Sequence, residues 1–329
     1  MQYDVFGMCN ALYDIQAEIS DTLLKELDIE KGGMFLIDEA QQQALVSRVY
    51  EHIVHAESGG SGANTMIGLS LLGGTGCYTS KIGNDEHGTL YADDLRKKQI
   101  QVCTAAGEGT TGICLVLITP DAERTLCTYL GICRELGPDD LNVEALRASK
   151  YLYVTGYLWD TDSQKAAVLR AMREAKSAGV KVALSLSDPF CVNRHREDFL
   201  KIAEEYVDFL IGNDVEAQAL TGTETPHDAI RAMSPYCTLA AVTMGARGAL
   251  LRDGDTIHEI PAFTVHAVDT TGAGDMYAAG LLYGITQGLP LEQTGHLAAY
   301  MAAQVVAKLG PRLEKIDSEA VRGICALNP

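Results

Sequence analysis

From residue 150 onward, short apolar runs rich in Val, Ile and Leu alternate with longer amphipathic stretches. The pattern predicts strands at 150–155, 180–186, 206–211 and 239–244, with helices at 161–178, 195–204 and 214–221 between them. Strands and helices in strict alternation are βαβ units, so this half implies a mostly parallel sheet covered on both faces. Asp253-Gly254, set between apolar segments 248–252 and 255–260, predicts a hairpin with a type I′ turn. Apolar helices from 276 to about 287 and from 291 to 308 follow.

The first 150 residues are less regular. A strand at 3–8 is followed by short extended pieces at 15–20 and 33–37 around a helix at 21–27. Asp38 and Gln41 form a capping-box pattern at the head of a helix running through about 53. A glycine loop at 59–64 enters a helix through 72, and a strand at 78–82, a helix at 86–98 and a strand at 112–119 come next. Arg124 follows a turn at 122–126. With no repeat, low-complexity segment or polar linker, residues 1–329 read as a single α/β domain. Segments 12–37 and 107–132 supply extra strands that protrude from it.

Composition narrows the partners. Apolar residues make up 47% and charged residues 21% of the chain, as in ordinary globular proteins. A formal charge of −18 disfavours nucleic acid, whose binding depends on neutralising phosphates. The uncharged run 276–291 is too short and interrupted to span a bilayer. Asp4, Asp14 and Glu18 break any secretory leader. Nine cysteines, mostly in apolar runs and without a C-x-x-C pair, read as buried reduced thiols, and so as a cytoplasmic protein.

The stretch Val268-Asp269-Thr270-Thr271-Gly272-Ala273-Gly274-Asp275 carries the chemistry. An extended segment gives way there to an apolar helix, so the amides of Gly272, Ala273 and Gly274 are expected to be free to bind an anion. Asp275 sits beside that cradle. A carboxylate next to a bound phosphate is repelled unless it has a task such as accepting a proton. Earlier in the chain, Asn10 and Asp14 at a strand end and Gly60 and Asn64 in the glycine loop are candidates for holding hydroxyls. Asn213 and Glu216 fall just after a strand, at the carboxyl edge where ligands of open α/β sheets collect. No Walker sequence, protein-kinase motif or complete dinucleotide fingerprint is present.

The octapeptide resembles the C-terminal signature of the ribokinase, or PfkB, family of sugar and nucleoside kinases. Gly59-Gly60-Ser61-Gly62-Ala63-Asn64, Gly73-Gly74 and Lys81-Ile82-Gly83-Asn84-Asp85-Glu86-His87-Gly88 resemble the N-terminal signature. The resemblance implies a three-layer α/β/α sandwich with a small β lid over the acceptor site. It implies ATP-dependent transfer of a phosphoryl group to a primary hydroxyl, with Asp275 as base, the amides of 272–274 holding charge and Arg124 adding a cation.

By the same resemblance Asn213 and Glu216 match an N-x-x-E motif that organises Mg2+ and its waters. Thr243, Gly245 and Gly248 match the turn around the nucleotide, with Tyr300 against the adenine of ATP. Asp269 and Thr271 match a monovalent-cation site of some members, which extends the expectation to potassium. Segments 6–15, 184–190 and 207–213 look like adenosine kinase, and by that alignment Leu36 and Tyr157 sandwich a purine. The Gly62-Ala63-Asn64 run and Thr271 are closer to bacterial sugar kinases, so fructose or ribose stays open as the acceptor. A catalytically silent nucleotide sensor is the alternative from another class, and both a monomer and a homodimer are compatible with the family.

Overall fold

The computed structural model describes residues 2–121 and 123–326, so Ala122 of the predicted turn lies outside it. Nine strands form the main sheet in the order 256–260, 249–253, 239–243, 209–213, 181–185, 149–155, 3–8, 76–79, 101–102. All pairs are parallel except the two made by the hairpin strands. Alternate residues of each strand feed opposite faces. Val5, Tyr153, Ala183 and Ile211 pack on one side with Met66, Ile67, Tyr277 and Leu281. Phe6, Leu152, Val154 and Leu184 pack on the other with Val168, Met172, Phe199 and Ile202. Helices therefore cover both faces, and the carboxyl ends of the parallel strands deliver their loops to one edge.

Five further strands form a second sheet, built largely from the segments expected to make a lid, in the order Met34–Leu36, Arg124–Tyr129, Gly112–Ile118, Leu12–Glu18, Ile53–Gly59. The last of these was not expected. The helix capped by Asp38 and Gln41 ends at Val49, a 3-10 turn follows, and 53–59 is extended. It is an edge strand with Val54, His55 and Ala56 exposed, so the alternation that marks a half-buried strand is absent. This sheet thus draws on three chain segments rather than two.

Four other readings need correcting. The strand predicted at 78–82 is split into 76–79 and 81–83. The helix predicted from 195 begins at Pro189, capped by Asp188, and is interrupted by non-helical backbone at His195. In the 253–256 turn Gly254 has φ +54 while Asp255 does not share the left-handed region, so Gly-first II′ geometry replaces I′. Finally, Cys77 and Cys103 are joined as a disulfide, so these two are not free thiols; six of the other seven are buried. Among the described residues no helix is long and apolar enough to cross a membrane.

Candidate active site

Three chain ends meet at the carboxyl edge of the main sheet: the glycine loop leading into helix Ser61–Leu71, the start of helix Ala273–Thr286, and the turn at 308–314. Asp275 lies in the first turn of its helix. Its Oδ1 accepts from the Ser61 hydroxyl at 2.6 Å and its Oδ2 from Asn64 Nδ2 at 2.8 Å. The carbonyl oxygen of Asn64 accepts from Arg312 Nε at 2.6 Å. Burial pushes the Asp275 carboxyl up, opposed by the hydrogen bonds from Ser61 and Asn64 and by the Arg312 charge. A carboxylate raised in this way is a better proton acceptor than an exposed one.

Asp14, expected to hold an acceptor hydroxyl, lies on strand Leu12–Glu18. Burial raises its carboxyl to about 7, with Arg312 and Arg124 opposing and Glu57 and Asp275 adding. It is crowded against backbone: a Cβ on Gly59 would stand 2.1 Å from the Asp14 carboxyl. Gly60, with φ +89, also passes close to the backbone, a virtual Cβ standing 2.6 Å from the Asn10 carbonyl oxygen. The side-chain oxygen of Asn10 accepts from Gln164 Nε2 at 2.7 Å. Gln164 Nε2 also donates to the Cys133 carbonyl, which turns its donor end toward Asn10, so the Asn10 amide nitrogen is the group left for a ligand.

Not all amides of the expected cradle are free. Gly272 is left-handed at φ +77 and a Cβ there would be 2.2 Å from the Pro311 carbonyl oxygen, which explains glycine. The Ala273 amide donates to the Thr270 carbonyl at 3.2 Å and is used within the turn. Gly274 is exposed, and nothing lies within 4 Å of a virtual Cβ, so an anion can approach it closely.

Arg124 is not aimed at a transferring group in this arrangement. Its Nη1 donates to Asp269 Oδ2 at 2.7 Å, with the two side chains only 9% and 7% exposed. Asp269 also accepts from the amides of Thr271 and Gly310, each at 2.9 Å. Burial works to raise the Asp269 carboxyl, but the Thr271 and Gly310 hydrogen bonds and the Arg124 charge outweigh it and hold it low. The pair ties the second sheet to the core.

Of the residues expected at the nucleotide, Asn213 caps helix Asp214–Thr221 and forms a capping box with Glu216. Glu216 accepts from the Asn213 amide at 2.9 Å and from its side-chain nitrogen at 2.7 Å. Burial raises the Glu216 carboxyl to about 7 against the Asn213 amide, and Asp188 and Asp214 raise it further. Thr243 stands beside Asn213 in register on the adjacent strand. Gly245 begins the next turn with open space around it, whereas a Cβ on Gly248 would be 2.1 Å from the Ile260 carbonyl, so this glycine serves strand packing. Tyr300 is 8% exposed and meets Phe263 edge-on at 5.8 Å between centroids.

Leu36 is 66% exposed and lines a cleft of about 1050 Å3 whose lining includes Ile37, Leu130 and Ile132 as well as the charged Arg134, Asp160 and Arg194. Tyr157 is not part of that lining. Its hydroxyl donates to the Ser187 carbonyl at 3.2 Å and its ring packs on the core, so the expected two-sided clamp is not assembled. Sequence reasoning also missed Arg312, Ser61, Gly59 and Gln164 as parts of the site. Ser61 could have been found as a hydroxyl in the first turn beside Asn64. Arg312 carries no spacing signal at all.

The pfkB family carbohydrate kinase model matches residues 34–317. An adenosine kinase from Sinorhizobium meliloti superposes with a TM-score of 0.87 at 37% identity, covering 98% of this chain and 99% of that one. A probable sugar kinase from Rhizobium etli CFN 42 superposes with a TM-score of 0.89 at 36% identity, covering 98% and 100%. A probable fructokinase-2 from Arabidopsis thaliana is 31% identical over 260 residues, 76% of this chain and 79% of the relative.

Proposed function

The chain belongs to the PfkB family of carbohydrate kinases, ATP-dependent phosphotransferases acting on sugar or nucleoside hydroxyls, and we propose that its acceptor is a ribonucleoside, adenosine foremost. The observation that carries this reading is the exposed Leu36 in a wide cleft. An apolar side chain left 66% exposed in the lining of a cleft of about 1050 Å3 suits a flat, apolar-faced base better than a free sugar. The fructokinase relative and the polar wall of Arg134, Asp160 and Arg194 favour a second reading, a sugar acceptor.

In the nucleoside reading, Asp14 and the Asn10 amide hold the ribose hydroxyls. Asp275 takes the proton of the primary hydroxyl as its oxygen attacks the γ-phosphorus in line and ADP leaves. The open backbone at Gly274 faces the charge that grows on the transferred group, with the start of the helix adding its field. Arg124 adds a cation there once it leaves Asp269. Thr243, Gly245 and Tyr300 border the nucleotide.

Among the described residues no three His, Cys, Asp or Glu cluster as a ready-made metal cage. Glu216, raised by burial and then by Asp188 and Asp214, nevertheless fits a dication held largely through water. Mg2+ held there supplies charge neutralisation at the nucleotide phosphates. For potassium, Asp269 Oδ2 is already saturated and its Oδ1 retains one lone pair, so any stimulation rests mainly on backbone oxygens around Thr271.

ADP release with Mg-ATP and potassium, compared for adenosine, inosine, fructose and ribose, tests the reading. Turnover with adenosine and not with free sugars is expected. Turnover with fructose or ribose alone moves the chain to the sugar kinases, and tight nucleotide binding without turnover on any acceptor points to a sensor.

A further inference from the structure

Asp275 can act as a base only if its hydrogen-bond donors keep their direction, and Asn64 could present either end of its amide. An asparagine amide flips freely unless its partners fix it. Here one partner is an arginine, which only donates. Arg312 Nε points at Asn64 from 2.6 Å, so the carbonyl end must face Arg312 and the amide nitrogen must face Asp275, 2.8 Å away. Arg312 itself is only 4% exposed. It is held from behind by Ser58 at 3.3 Å, Glu57 at 3.3 Å and Asp94 at 3.5 Å, while its Nη2 has no partner. A buried arginine with a donor left over is costly to keep, and scaffold contacts alone do not account for it.

We propose that Arg312 is a positioning residue for phosphoryl transfer: through Asn64 it locks the donor that aims the Asp275 carboxylate, and it sets a buried cation behind Asp275 and Asp14. This rests on Asp275 being the base. The groups facing Asp275 are Asp14 and Arg312, with the neutral Cys9, Tyr153 and Tyr157. Asp14 also faces Glu57 and Arg124. Arg312 is thus the cation common to both carboxylates, and losing it moves their titration to higher pH.

The test compares Arg312→Met, Arg312→Lys and Asp94→Asn, with Tm, kcat, KM for ATP and the pH profile of kcat/KM measured for each. In Arg312→Met, kcat should fall about 10²-fold, as for a small misplacement of a reacting group, with the KM for ATP unchanged. The acid limb of its profile should move to higher pH. Arg312→Lys keeps the charge and should leave that limb in place while kcat stays about tenfold low. Asp94→Asn loosens one of the three groups holding Arg312 and should lower Tm, with kcat falling less than in Arg312→Met. If Arg312→Met turns over normally, or if its acid limb does not move, the proposal is overturned. Should Arg312→Met not fold, a wild-type kcat in Arg312→Lys overturns it equally. Asp275→Asn separates the two layers: a normal turnover there sinks the base itself, whereas an inactive Asp275→Asn beside a normal Arg312→Met sinks only the role of Arg312.

Discussion

The surroundings of Asp275 and those of Glu216 are wired over very different distances along the chain. Asp275 is held by Ser61 and Asn64, 214 and 211 residues away, and Asn64 by Arg312, 248 residues away. Glu216, by contrast, is held by Asn213, three residues before it in one capping box. Both carboxyls are raised by burial. The local arrangement survives as long as one helix forms, while the distant one exists only when three loops are docked together. A long-range network concentrates charge where chemistry needs it, and a local one keeps its geometry cheaply.

Replacing Asp275 with Asn breaks the distant side most directly. Turnover should fall about 10³-fold or more while ATP binding measured by calorimetry is retained. Gly59→Ala strikes the same side through crowding, since the new methyl overlaps the Asp14 carboxyl. It should cost about 10²-fold in kcat/KM for the acceptor and little in KM for ATP.

Asp14 shows the stability cost of that concentration. Its ordinary carboxyl range lies near 4 and the folded protein holds it at about 7, so the folded state binds more protons between those values. Its contribution to stability therefore falls as pH rises from about 4 to about 7 and is flat above. Asp14→Asn should raise Tm by a few degrees above pH 7, with the gain vanishing near pH 4, although acceptor binding is lost. On the local side Asn213→Ala should cost about 1 kcal/mol of stability through the lost cap. It should also raise the Mg2+ concentration needed for half-maximal activity by a few-fold. A collapse there as deep as that of Asp275→Asn would erase the distinction between the two sides.

The same contrast decides what could be read from the residues. The βαβ rhythm after residue 150 shows because buried parallel strands are continuous apolar runs between amphipathic helices. The Asp38–Gln41 capping pair shows because both partners lie within one turn, whereas Asn213 and Glu216, read as a ligand motif, also cap a helix. The helix start that carries Asp275 was legible from the glycines around it. The strand at 53–59 was not, because an exposed sheet edge carries polar residues at inward and outward positions alike. That the Tyr157 hydroxyl is tied to the Ser187 carbonyl could not be read either, because that contact is a tertiary event. Arg312 was invisible for the same reason.

The 248 residues between Asn64 and Arg312 also set an order of events during folding. Contacts so far apart in sequence carry the largest loop-closure cost and form late. The nine-stranded sheet can be complete while the segment carrying Arg312 is still undocked, and until it docks Asp275 lacks its aim. Helical signal in a refolding experiment should therefore return before kinase activity does, making the maturing molecule first a well-formed scaffold and only afterwards an enzyme.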